Sequence, residues 1–286
     1  MGLHLALLMG VVAVSFAAIF IRLAEAPSLV IAAYRLTLAS LIIAPVGLFR
    51  CWREIKALDR KDLLYAIVSG LLLTLHFASW IASLDYTTVA SSVVFVSTHP
   101  IFVGIAAHLW TRDKVSRLMF GGIIVAVLGG MIVGWDDLAL GGKALWGDFL
   151  ALVGAAAVAG YFMVGRRLRP KTSLLAYISV VYSIAALGTL ALCILTGQRF
   201  TGYSPSTYLM FVLLAIVPQL IGHSSFNWAL RHLSAPVVAV TVLGEPVGST
   251  ILAYFILHEA PTLVKVGGAA LILGGIYFSL REERAQ

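Results

Sequence analysis

Charge is scarce in this chain: Asp, Glu, Lys and Arg make up 12% of its 286 residues, against 60% hydrophobic residues and a mean hydropathy of +0.99. Soluble domains carry about 25% charged residues, so the composition excludes that class and places the chain in a bilayer. Cysteine is scarcer still. Cys51 falls in a polar loop and Cys193 inside an apolar run, too far apart in topology to bridge, and they say little about redox compartment. No Walker sequence is present to bind ATP. The HEAPT stretch (258–262) lacks HExxH spacing, the seven His include no i, i+4 pair and there is no Cys cluster, so neither a metal site nor a cofactor is expected. Low-complexity segments and any soluble catalytic module are missing too. Mid-span acid is limited to one residue, Glu245, which argues against intramembrane proteolysis by paired carboxylates although Ser residues and His99 are available. The chain is therefore not read as an enzyme.

What is abundant is uninterrupted apolar sequence. A helix needs about 20 such residues to cross the hydrocarbon, because every backbone N–H and C=O must be paired without water. Ten runs qualify: 3–22, 29–49, 63–83, 89–110, 118–135, 146–165, 173–197, 207–230, 236–257 and 264–281. The first is not a cleaved signal: no basic residue precedes it, it exceeds a signal's apolar core, and it ends at Arg22 rather than at a small-residue cleavage site. The net charge of +7 raises the question of nucleic acid. Its distribution answers otherwise. Arg50, Arg53, Lys56, Arg60, Lys61, Arg166, Arg167, Arg169 and Lys171 all fall on segments at one membrane face, whereas Arg22, Lys143, Arg199 and Lys265 are the basic residues of the opposite face. By the positive-inside rule both termini are cytoplasmic, and no nucleic-acid partner is implied.

An internal repeat is visible. VSTHPIFV (96–103) and VLGEPVGS (242–249) each set a polar residue before a proline at mid-span; Gly121-Gly122 fall on Gly267-Gly268 at the same offset, Gly10 matches Gly154, and Trp80 matches Trp228. Five spans per half is an odd number, so the second half enters the membrane from the other side. The predicted fold is an all-α integral membrane protein of ten transmembrane helices, built as two five-helix inverted-topology repeats, 1–140 and 141–286, joined near WDDLALGGKALW (135–146).

Such halves place a transport site near the bilayer midplane. His99-Pro100 and Glu245-Pro246 lie at that level, where proline frees the carbonyls near Val96 and Val242 for ligands or water. An ionised Glu245 at that depth costs on the order of 3 kcal/mol on insertion scales, so it is read either as facing a wet cavity, as an exchangeable acid, or as a protonated group bonded to a neighbouring helix. His76 and Trp80 share a face at i, i+4, as do His223 and Asn227, with Trp228 adjacent. For the histidines the alternatives are ligand and interhelical hydrogen bond; for the tryptophans, cavity wall and interface anchor. Arg35 either snorkels to the surface about two turns away or contacts a carboxylate. Phe95 and Tyr161 are candidate apolar wall. Gly122, Gly129, Gly268 and Gly275 are read as helix-packing surface.

These features resemble the drug/metabolite transporter superfamily in its EamA-type ten-helix branch. The resemblance spans nearly the whole chain and is carried by AAYRLTLAS (32–40), SWIASLDYTTVASSVVF (79–95), the HP and EP dipeptides and ILHEAPTLVKVGGAALILGGIYF (256–278). It is similar in particular to the YddG-type amino-acid exporters. That implies a basket-like bundle in a bacterial inner membrane, exporting amino acids, aromatic ones included, and related small metabolites. The expected partners are those metabolites and the lipid bilayer, with the chain acting as a monomer. The first repeat has HP where the second has EP, and TRDKVS (111–116) where the second has HEAPTL. The competing reading is a proton-coupled exporter of organic cations; a membrane-embedded enzyme is a remote one. One mid-membrane Arg without any Lys argues against phosphorylated substrates.

Overall fold

Helix-start chemistry is written into the loops. Asp59 accepts from the Asp62 backbone N–H at 2.7 Å, Thr88 from Ser91, Ser173 from Ala176, and Ser204 from Thr207 with Pro205 in the first turn. Each cap satisfies a backbone donor that has no partner inside its helix. The computed structural model describes residues 2–110, 117–134, 142–258 and 262–281. TRDKVS, the 135–141 part of the central joint, and Glu259 lie outside the described residues.

The described chain is helical throughout. Span one comprises α1 (Leu3–Ser15) and α2 (Ala17–Leu23), span two is α3 (Ser28–Lys56), and span three is α4 (Arg60–Ser83). Span four comprises α5 (Val89–Val96) and α6 (His99–Trp110), and span five is α7 (Arg117–Gly134). In the second half, span six is α8 (Gly142–Leu168) and span seven is α9 (Leu174–Leu195). Span eight runs through α10 (Pro205–Leu214), a π-helical segment (Ala215–His223) and α11 (Ser224–Ala229). Span nine comprises α12 (Ala235–Val242), α13 (Gly244–Leu252) and a second π segment (Ala253–Leu257), and span ten is α14 (Leu263–Arg281). Eight of these spans are long and apolar enough to cross a bilayer; span five has a shorter apolar stretch, Phe120–Ile132, and packs along span ten.

Packing follows the repeat. Spans two and seven pair, as do five and ten; three packs on six, and one on eight. Exchanging each span for its counterpart five places on returns the same set of pairs, as a pseudo-two-fold axis in the membrane plane requires. Glycine sets the closest approaches. A Cβ on Gly275 would sit 2.4 Å from the Gly122 carbonyl oxygen and 2.8 Å from Ala126, so spans five and ten are in backbone contact. Gly10 presses on Ser225 and Phe226 of span eight, and Gly154 on Ser79 and Trp80 of span three, two equivalent contacts in the two halves.

The two proline sites break their helices. Span four stops at Val96 and resumes at His99; span nine is interrupted at Leu243. In span eight Pro218 lies within the π segment, where a wider turn absorbs the hydrogen bond that proline cannot make. These three irregular points surround the polar centre of the molecule.

Candidate functional site

Arg35 is fully buried, at 0% exposure, so it does not reach the surface along its stem as one sequence reading held. The reason is a partner in span eight: the Arg35 Nε donates to Gln219 Oε1 at 2.9 Å, and its guanidinium lies 4.0 Å over the Phe77 ring. The cation–π contact and one hydrogen bond replace part of its hydration. Both terminal nitrogens, Nη1 and Nη2, remain without a partner.

Arg35 is one of the residues lining a cavity of about 30 Å³, with His76, Trp80, Ser97, His99, Phe162, His223, Phe226 and Glu245, and with Val14, Ala17, Val96, Val158 and Val242 completing its wall. Space of that size holds one or two waters. Glu245 is 8% exposed and has no hydrogen bond or ion pair among the described residues; it shares the cavity with the Arg35 guanidinium and interacts with it coulombically. Val96 and Val242, whose carbonyls the prolines free, both line the cavity, and the Val96 oxygen is taken by His99 Nδ1 at 3.1 Å.

The histidines differ in their anchoring. His76 Nδ1 bonds the Gly154 carbonyl at 3.0 Å and its ring stacks on Trp80 at 5.8 Å and 12°. His223 stands 6.1 Å from the His76 ring and 5.2 Å from Phe77, with Nδ1 unpartnered. His99 meets Phe162 edge-on at 5.7 Å and keeps Nε2 unpartnered, as are Trp80 Nε1 and Ser97 Oγ. Buried polar atoms almost always have partners, and this many exceptions around one space single it out as the candidate site.

Of the ten residues singled out in the sequence, Arg35, His76, Trp80, His99, His223 and Glu245 line the cavity; Phe95, Tyr161, Asn227 and Trp228 do not. Asn227 Nδ2 turns away to donate to the Tyr161 hydroxyl at 2.5 Å and the Tyr182 hydroxyl at 3.4 Å, while Tyr182 meets Ser224 at 3.2 Å. Trp228 packs against His232 at 4.8 Å, and Phe95 is half-buried against the core. Phe162, Ser97 and the Arg35 partner Gln219 were not anticipated. Gln219 carried a signal: it directly follows Pro218 inside an apolar span. Cys51 and Cys193 are both free, and no group of three or more potential metal ligands occurs among the described residues.

The model of the EamA-like transporter family matches this chain twice, over residues 1–135 and 145–281. The chain belongs to the EamA-like transporter family. Among the relatives of this EamA-like protein is an uncharacterized transporter of Archaeoglobus fulgidus, 25% identical over 98% of the chain and 97% of the relative. YetK of Bacillus subtilis, likewise described as an uncharacterized transporter, is 25% identical over 87% of the chain and 77% of its own length. The pseudopaline exporter CntI of Pseudomonas aeruginosa is 23% identical over 76% and 75%. A solved crystal structure superposes with a TM-score of 0.78 at 19% identity, covering 98% of this chain and 97% of its own, which establishes the shared fold. The EamA-like chain is thus a multi-pass membrane transporter.

Proposed function

We propose that this EamA-like transporter exports amino acids, aromatic ones included, and related small metabolites by alternating access between two repeats, residues 1–140 and 141–286. One observation carries the reading: Arg35, with Nη1 and Nη2 unbonded, and Glu245, with its carboxylate unbonded, line one cavity to which both halves contribute. A guanidinium fork fits a carboxylate in two parallel hydrogen bonds, and a carboxylate fits an ammonium group; a zwitterion offers both. Trp80, His76, Phe162 and Phe226 supply flat walls for an apolar or aromatic side chain. The cavity is too small for such a cargo, so the conformation described is contracted, and loading requires the spans to separate.

The double family match supports the two-repeat division, and the name of the relative CntI supports export of small metabolites. The basic loops support cytoplasmic termini, and the resemblance carries the bacterial inner membrane; the chain is proposed to act as a monomer. His76, Trp80, His99, His223, Arg35 and Glu245 are proposed as substrate contacts; Tyr161, Asn227, Phe95 and Trp228 are proposed as their supporting shell. No cofactor is required in this scheme.

A proton-coupled exporter of organic cations is the second reading, favoured by a lone carboxylate among aromatic rings. Arg35 in the same cavity repels such cations. Proteoliposomes loaded with a panel of amino acids, with and without an imposed proton gradient, separate the two. Efflux of neutral-side-chain amino acids supports the first; efflux of lipophilic cations alone, dependent on the gradient, replaces it with the second.

A further inference from the structure

We propose that Arg22 and Arg166 are positioning residues that latch the cavity shut at opposite membrane faces, one in each repeat. Each arginine lies in the last turn of its span, and each lies twelve residues after the glycine that marks the same position in its half, Gly10 and Gly154. The Arg22 guanidinium, at the end of span one, donates through Nη2 to the Thr87 carbonyl at 2.8 Å, beyond the end of span three. The Arg166 guanidinium, at the end of span six, donates through Nη1 to the Leu230 carbonyl at 3.2 Å, beyond the end of span eight. Both acceptors are backbone carbonyls outside the helices: Leu230 is the C-cap of α11, and Thr87 lies in the turn between α4 and α5. The same chemical device is therefore built twice.

Three crossings separate Thr87 from Arg166, so the two bonds lie on opposite faces. Spans one, three, six and eight all contribute residues to the cavity wall: Val14, His76, Phe162 and His223. Holding the ends of one and three together closes the wall toward one face, and holding six to eight closes it toward the other. Each latch is reinforced locally. At the Arg22 face Ser28 donates to the Asp85 carboxylate. At the Arg166 face Arg169 donates through Nε to the Asn227 carbonyl at 2.9 Å and also to the Thr172 carbonyl. Burial, with Arg231 nearby, lowers the Arg169 guanidinium to about 10, which leaves it charged at neutral pH. Both latches are closed here, in keeping with the contracted cavity. The proposal rests on the alternating-access reading above: turnover would require the two latches to open in alternation, and a charge-assisted hydrogen bond to a backbone carbonyl breaks without disturbing packing.

The test uses Ser97→Cys as a reporter on the cavity wall, in a Cys51→Ser, Cys193→Ser background, labelled with a membrane-impermeant maleimide from each face of oriented vesicles. Arg22→Gln is expected to raise labelling from the Thr87 face about tenfold, the shift that follows loss of one charge-assisted hydrogen bond, and to leave the other face unchanged. Arg166→Gln should do the same from the Leu230 face. Arg22→Lys and Arg166→Lys, which keep a donor, should restore most of the wild-type pattern. Equal changes at both faces, or none, would overturn the latches, since general loosening has no sidedness. If the reporter in the otherwise unsubstituted chain reacts from a single face whatever amino acid is present, alternating access itself fails and the latches fall with it.

Discussion

Arg35 and Gln219, in spans two and eight, are joined inside the membrane by a single 2.9 Å hydrogen bond that holds the guanidinium and leaves its two terminal nitrogens without partners, in a residue that lines the cavity. Gln219 thereby acts on the site without lining it. Gln219→Leu removes the acceptor and lets the guanidinium swing. The expected result is an apparent KM for a zwitterionic substrate raised about tenfold with a smaller change in maximal rate, read by efflux at graded internal concentrations; the figure corresponds to one charge-assisted hydrogen bond. A fall in maximal rate at constant KM would assign Gln219 to conformational change instead.

Glu245→Gln keeps size and hydrogen-bonding capacity while deleting the charge. Transport of a zwitterion should drop at least about tenfold, whereas the folded fraction and melting temperature should hold, because the carboxylate makes no bond that the amide loses. Transport with unchanged affinity, rate and pH dependence would remove Glu245 from the mechanism.

Gly275→Ala tests the seam between spans five and ten. The added Cβ meets a backbone oxygen at 2.4 Å and not a movable side-chain tip, so the helices must part. Destabilisation of about 1–3 kcal/mol is expected, visible as an earlier melting transition in detergent. Gly267→Ala on the same helix, with open space around the new methyl, serves as the control and should be silent.

Asp59 gives the protein an acid-sensitive helix start outside the bilayer. Its carboxylate accepts the Asp62 backbone N–H, and that bond holds its titration below the usual carboxylate value. A depressed folded-state value means the cap stabilises fully above the unfolded value near 4 and loses its contribution as pH falls through the lower, folded one. Asp59→Asn preserves the cap without titrating. Melting curves of the two proteins should therefore agree at neutral pH, with the variant holding up better in acid.

The arrangement of spans was legible from sequence because the bilayer imposes its length on every one of them: the apolar runs and the observed helices differ by a few residues at most of their ends, and further where α3 and α8 continue past the hydrocarbon. His76 and Trp80 were paired correctly since α4 is regular and i, i+4 residues share a face. The same spacing failed in span eight. There the π segment ends at His223, so the wall residue and Asn227 straddle a change of helical pitch, and Asn227 turns to Tyr161 and Tyr182. The burial of Arg35 was hidden for a different reason. Its partner is 184 residues away, and a lone Gln in an apolar span does not announce which helix it faces. Latch acceptors are harder still to read, because a backbone carbonyl has no letter in the sequence.

The shared space between Arg35 and Glu245 has an electrical consequence. Moving one elementary charge through the membrane potential involves about 2.3 kcal/mol per 100 mV. With Glu245 ionised, its charge offsets that of the Arg35 guanidinium in the same cavity, and a cargo bearing one group of each sign adds nothing to the balance. Voltage would then do no net work on the loaded or the empty carrier, leaving concentration differences to drive the flux.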